Sequence, residues 1–212
     1  MEPFVKLTGI VAPLDRVDVD TDSIIPAQFL KRVERTGFGQ YLFYTWRFLS
    51  EGIPNPEFIL NEPRYQGASI LVTGRNFGTG SSREHAPWSL LDYGFRVIMA
   101  PSFADIFQKN CFENGIVPVT LAQQQIDLIM HKASTESGFQ LVVDLEHCLL
   151  TDVENEEMSV PFIIHQDKNT HDFRRQNLLR GLDEIDLVLE NEEHILEFEE
   201  VRGRYGGVLR DL

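Results

Sequence analysis

The chain has 212 residues, 42% of them hydrophobic and 25% charged, which suits one globular domain with a sizeable core. A formal charge of -14 argues against a nucleic-acid surface, no apolar run reaches the length of a membrane span, and Met1-Glu2-Pro3-Phe4-Val5-Lys6 lacks the basic and apolar regions of a signal peptide, so a cytoplasmic protein is expected. Cys111 and Cys148 stand far apart in no C-x-x-C pair and are too few for an iron–sulfur cluster, so neither a disulfide framework, a zinc site nor any other metal is expected in this chain.

Val5 to Ala12 reads as a first strand, closed by Pro13. The following Asp18-x-Asp20-x-Asp22 has calcium-loop spacing, but Ser23 stands where that loop needs glycine and Phe29 where it needs glutamate. An Asx-turn is the better reading. The glycines and charges between Ile24 and Gly39 suggest a mobile connection, Tyr41 to Phe48 a short aromatic helix packed into the core, and the prolines between Gly52 and Pro63 a loop or rim.

From Ser69 the pattern becomes regular. Ser69–Thr73 is a buried strand, followed by a glycine turn and a helix ending near Gly94; Pro87 requires an irregular opening, with the regular helix starting near His85 or Ala86. Phe95–Ala100 is a strand, Ser102 and Asp105 open a helix ending at Gly115, Ile116–Leu121 is a third strand, and Gln124–Lys132 is an amphipathic helix. This alternation predicts an α/β fold with right-handed crossovers and a parallel sheet. After Gly138 the stretches Phe139–Val143, His147–Val153 and Met158–Ile164 read as antiparallel strands. Helical signal then runs from His171 to about Glu200 with a break at Gly181, the acidic residues of Asp183–Glu200 forming a solvated face, and the tail from Arg202 to Gly207 is expected to be flexible.

The chemistry concentrates at Gly74-Arg75-Asn76-Phe77-Gly78-Thr79-Gly80-Ser81-Ser82-Arg83-Glu84-His85. Three glycines within seven residues let a ligand approach the main chain, and two hydroxyls and an arginine precede a helix start that favours an anion. A P-loop would need lysine after its last glycine, and the dinucleotide fingerprint a glycine where Arg83 stands, so the site is neither. A small carboxylate or phosphate fits. A capping box, with Ser81 as N-cap and Glu84 reaching back, is the plain structural alternative; Ser82 could equally cap while Ser81 faces a ligand.

Gly78-x-Gly80-Ser81-Ser82-Arg83-Glu84-His85-Ala86-Pro87-Trp88 resembles the signature of the small subunits of isopropylmalate isomerase (3-isopropylmalate dehydratase), in the aconitase superfamily. Asp20-Thr21-Asp22-Ser23-Ile24-Ile25-Pro26 upstream, and Ser102-Phe103-Ala104-Asp105-Ile106-Phe107 with Asn110-Cys111 downstream, extend the resemblance from Phe4 to about Glu200. It implies a single swivelling β/β/α domain over residues 1–212, with 165–212 a mainly helical C-terminal extension, closing over a large partner subunit that carries a four-iron four-sulfur cluster. The implied reaction interconverts 2-isopropylmalate and 3-isopropylmalate in leucine biosynthesis, a small dicarboxylate being the substrate.

By that resemblance Ser81 is the alkoxide base, Ser82 donates to a substrate carboxylate and Arg83 grips it; Lys31 and Arg32 supply a further cation, and Gly80 and His85 are possible supporting residues. Phe29, Leu30, Val33 and Phe38 favour an apolar substrate branch, while Lys31, Arg32 and Arg35 leave a homoaconitate- or citraconate-type acid open. A non-catalytic anion-binding module is the alternative from another class.

Overall fold

The computed structural model describes residues 1–30, 36–155, 159–189 and 192–206. Strand β1 (Lys6–Leu14) joins two halves of one seven-stranded sheet. Its first half pairs antiparallel with β5 (Gln140–Asp144), from Lys6 opposite Asp144 to Ile10 opposite Gln140. Its second half pairs parallel with β2 (Ile70–Thr73), from Val11 opposite Ile70 to Leu14 opposite Thr73. The strand therefore continues through Pro13, which was expected to end it. Proline is tolerated there because the β5 pairing stops at Ile10, leaving an edge that needs no amide donor.

Beyond β2 lie β3 (Val97–Ala100) and β4 (Val117–Thr120), all parallel; beyond β5 lie β6 (Leu149–Asp152) and β7 (Ser159–Pro161), all antiparallel. The sheet order is β4-β3-β2-β1-β5-β6-β7. Its two ends meet where Thr120 N donates to Ile163 O at 2.7 Å, so the sheet is curled.

Period-two alternation divides the apolar residues between two cores. Leu71, Ile98 and Ala12 enter the first with Ile24, Phe43, Phe77, Leu90 and Phe107, beneath α1 (Thr21–Ile24), α2 (Tyr44–Arg47), α3 (His85–Tyr93) and α4 (Asp105–Glu113). Ile70, Val72, Val97 and Met99 enter the second with Leu141, Val143 and Leu150, covered by Ile126, Ile129 and Ala133 of α5 (Gln123–Thr135) and Leu178 of α6 (Lys168–Arg180). Strands β2 and β3 are buried on both faces, which is why they read as unbroken apolar runs. Each such side chain contributes about 1.5–3 kcal/mol relative to exposure, so the parallel strands form a firm floor for the loops at their carboxyl ends.

Two further elements differ from the sequence reading. The connection from Ile24 to Gly39 is not wholly a mobile one: Ile24, Ile25 and Phe38 are fully buried, because one-turn helices fold their apolar residues under the first core. The tail is helical through Gly206, in α8 (Glu192–Gly206). The chain divides into two compact units, Met1–Gly181, which includes α6, and Leu182–Leu212, which includes α7 (Glu184–Leu189) and α8. No described helix is long and apolar enough to cross a membrane.

Candidate active site

The three stretches singled out in sequence meet at the carboxyl ends of β2 and β3. On one side of the loop 74–80, Thr21 N donates to Thr79 O at 2.8 Å, Gly78 N to Val19 O at 2.7 Å, and Asn76 Nδ2 to Asp18 Oδ1 at 2.8 Å. On the other side, Asn76 N donates to Ser102 Oγ at 2.9 Å, Phe77 N to Ser102 O at 3.2 Å, and Ala104 N to Phe77 O at 3.0 Å. The loop is thus clamped between the segments 18–21 and 102–104, with a single bridge to each. Gly78 permits this on two counts: its φ is +83°, and a Cβ there would lie 2.1 Å from Cγ of Phe107. Gly80, with φ of +96°, then turns the chain toward Ser81.

Ser81 and Ser82 are exposed, and Arg83 is largely covered, its side chain 19% accessible. Helix α3 begins only at His85, as Pro87 required, since a proline in the first turn removes an amide that has no partner within the helix. The capping box consequently does not form. Glu84 is the N-cap residue and makes no side-chain cap bond; its carboxylate accepts from Asn114 Nδ2 at 3.3 Å, while Trp88 Nε1 donates to Asn114 Oδ1 at 2.9 Å, tying α3 to α4. The amino end of α3 lies four residues after Ser81, with Arg83 between them.

His85 is half-buried between the rings of Phe38, 5.3 Å away, and Trp88, 4.7 Å away. Burial pulls its pKa below the ordinary 6.5; Glu84 opposes this and Arg83 adds to it. On acidification the unfolded chain therefore takes this proton first, and stability present above pH 6.5 is lost as pH falls. NMR titration should place the His85 midpoint below 6.5, and His85→Gln should lose less stability than the wild type on going from pH 7 to roughly pH 5. His171, also lowered by burial, contributes with the same sign in both proteins and so cancels from the comparison.

A cleft of about 240 Å³ opens between these elements, lined by Gly78, Gly80, Ser81 and Arg83 from the loop and by Thr21, Asp105, Ile106 and Asn110 from its two flanks. A wider depression of about 470 Å³ lies between β4, the start of α5 and Phe162, but none of its lining side chains ionises, so none could carry a proton. The smaller cleft is the candidate site. Lys31 and Arg32, with Val33, lie outside the described residues. Phe38 is fully buried and cannot touch a ligand, and Phe29 stacks on Tyr41 at 4.1 Å; the apolar lining of the cleft comes instead from Ala104, Phe107 and Ile106, the last 52% exposed.

Sequence reasoning missed two residues here. Thr21, only 2% exposed, donates from Oγ1 to the carbonyl of Ser81 at 3.2 Å. Asp22 accepts from Nη1 of Arg83 through Oδ1. The signal was present in the aspartate run, which offers more carboxylates than one turn uses; Asp20 alone caps α1, accepting from Ser23 N at 2.6 Å.

The family model described as the aconitase C-terminal domain matches residues 1–124, which span every stretch just described. The 3-isopropylmalate dehydratase small subunit of Brevibacillus brevis is 53% identical over 199 residues, covering 94% of this chain and 98% of its own length. That of Rhodopirellula baltica is 51% identical over 204 residues, covering 96% and 100%. The chain belongs to the family of 3-isopropylmalate dehydratase small subunits. A solved structure, the 3-isopropylmalate dehydratase of Methanocaldococcus jannaschii, shares the fold, with a TM-score of 0.62 and 21% identity over 92% of this chain and 99% of that one. In this small-subunit family member the β/β/α fold sets the clamped loop at the open end of the parallel strands. Among its described residues no three or more histidines, cysteines, aspartates or glutamates are grouped as a metal site. Cys111 is buried in the first core, where burial pushes its thiol well above the ordinary value, and Cys148 packs against the second.

Proposed function

We propose that the chain is the small subunit of a hydro-lyase that interconverts 2-isopropylmalate and 3-isopropylmalate by dehydration and rehydration in leucine biosynthesis, in the cytoplasm. The observation that carries this is that Ser81 and Arg83 line one cleft, the hydroxyl exposed and the guanidinium largely covered.

Dehydration removes a proton from a carbon beside a carboxylate and a hydroxyl from its neighbour; rehydration returns them with positions exchanged. Ser81 Oγ takes the proton. A serine hydroxyl is a weak acid, so its anion requires a positive group nearby, and Arg83 is that group. Arg83 also grips the substrate carboxylate, because a guanidinium presents five N–H donors in a planar fork suited to two carboxylate oxygens. Ser82 adds a hydroxyl donor to the same carboxylate, Lys31 and Arg32 supply a cation for the second, and Gly80 presents the serines. His85, neutral at pH 7 and wedged between two rings, supports the loop rather than carrying a proton. The four-iron four-sulfur cluster of the large subunit supplies the Lewis acid for the departing hydroxyl.

The site is therefore half of a pocket, and the domain swivels to close it over the large subunit. Mixed with a reconstituted large subunit and 3-isopropylmalate, the chain should produce the unsaturated intermediate, followed by its absorbance, and should produce none alone. Tight dicarboxylate binding by the isolated chain, with no turnover on mixing, would instead indicate an anion-binding module.

A further inference from the structure

The segment Asp20-Thr21-Asp22 touches the catalytic loop at two side chains that the reaction scheme above leaves without a role. We infer that Thr21 and Asp22 are positioning residues, Thr21 setting the backbone of Ser81 and Asp22 aiming the guanidinium of Arg83; this rests on the proposed roles of Ser81 and Arg83.

Three observations converge. Thr21 is buried, and its hydroxyl donates to the carbonyl of Ser81 at 3.2 Å, while its own amide donates to Thr79 O at 2.8 Å, so one residue grips the loop on both sides of Gly80. Gly80 has left-handed φ and no side chain to hold it, and the tie across it is what keeps Ser81 at the cleft wall. Asp22 bonds only Nη1 of Arg83 in this contact, which leaves a second edge of the fork to meet a carboxylate. Arg83 is long and has several rotatable bonds, and a fixed partner on one edge limits the directions its other edge can face. The Asp22 side chain is 55% exposed, so water screens its repulsion of an anionic substrate, and orientation outweighs charge.

The holoenzyme, reconstituted with the cluster-bearing large subunit, tests this by steady-state kinetics. Asp22→Ala should raise KM about fivefold, because Arg83 grips the carboxylate, and should lower kcat severalfold as well, because the same guanidinium stabilises the Ser81 anion. Asp22→Asn, which keeps an oxygen acceptor, should stay within about twofold of wild-type KM. In an Arg83→Ala background, Asp22→Ala should add nothing, since its partner is gone. Thr21→Val should lower kcat about tenfold while the enzyme remains folded by circular dichroism and assembled with the large subunit, with Thr21→Ser restoring kcat to within about twofold.

An equal Asp22→Ala effect on KM with and without Arg83, or none in either, overturns the role of Asp22. A Thr21→Val enzyme with unchanged kcat, or a Thr21→Ser enzyme as slow as Thr21→Val, overturns that of Thr21. Should Arg83→Ala itself leave kcat/KM unchanged, the reading of the whole site falls, and this inference with it.

Discussion

Ser81→Ala, mixed with the large subunit, is expected to lose turnover by about 10²–10⁴-fold, the range set by removing a positioned general base. KM should change little, because Arg83 and Ser82, the carboxylate clamp we propose, stay in place. The side chain is exposed and makes no core contact, so the thermal midpoint should stay within the effect of an ordinary surface substitution, about 0.5 kcal/mol. Circular dichroism and co-purification with the large subunit separate lost chemistry from lost assembly. Ser82→Ala, removing one hydrogen bond to substrate, should act chiefly on KM. Undiminished turnover in Ser81→Ala would remove serine as the base while leaving the fold untouched.

Gly78→Ala should be the most damaging single methyl in the site. Its φ of +83° costs an L-residue about 1–2 kcal/mol. The added Cβ would also sit 2.1 Å from Phe107 Cγ, inside the first core, and relieving such overpacking costs about 1–3 kcal/mol. Phe107 cannot swing away easily, since it packs edge-on against Phe77 at 5.3 Å. The sum is about 2–5 kcal/mol, or a fall in thermal midpoint of roughly 10 °C for a chain of this size. Gly67→Ala is the control: its φ is +77° but nothing lies within 4 Å of the new Cβ. It should show the backbone cost alone, about 1–2 kcal/mol, with activity retained. Equal melting shifts for the two variants would mean that contact with Phe107 contributes nothing.

Parts of the site were readable in the chain because they are local. Glycines at 78 and 80 announce left-handed backbone, and Pro87 alone delays the start of α3 to His85, because a proline fits a helix only where an amide has no partner. The capping-box alternative had the right spacing in Ser81 and Glu84, yet that spacing operates only if the helix begins between them. Phe38 misled for a different reason. An aromatic residue among glycines and charges has no periodicity to mark it as core, and its burial depends on α3, some fifty residues away.

By itself the sequence determined the strands and helices from Ile70 to Thr135, the change to antiparallel pairing after Gly138, and the glycine turn that lines the candidate cleft, since hydrophobic period, glycine and proline act over a few bonds. Only the tertiary structure decided that β1 would serve both halves of the sheet, that the sheet would curl until Thr120 met Ile163, and that Thr21 and Asp22 would reach Ser81 and Arg83 across sixty residues. Those contacts arise from how the strands stack side by side. No local preference of the chain encodes which loop will lie against which, and burial of two apolar faces at once selects the arrangement.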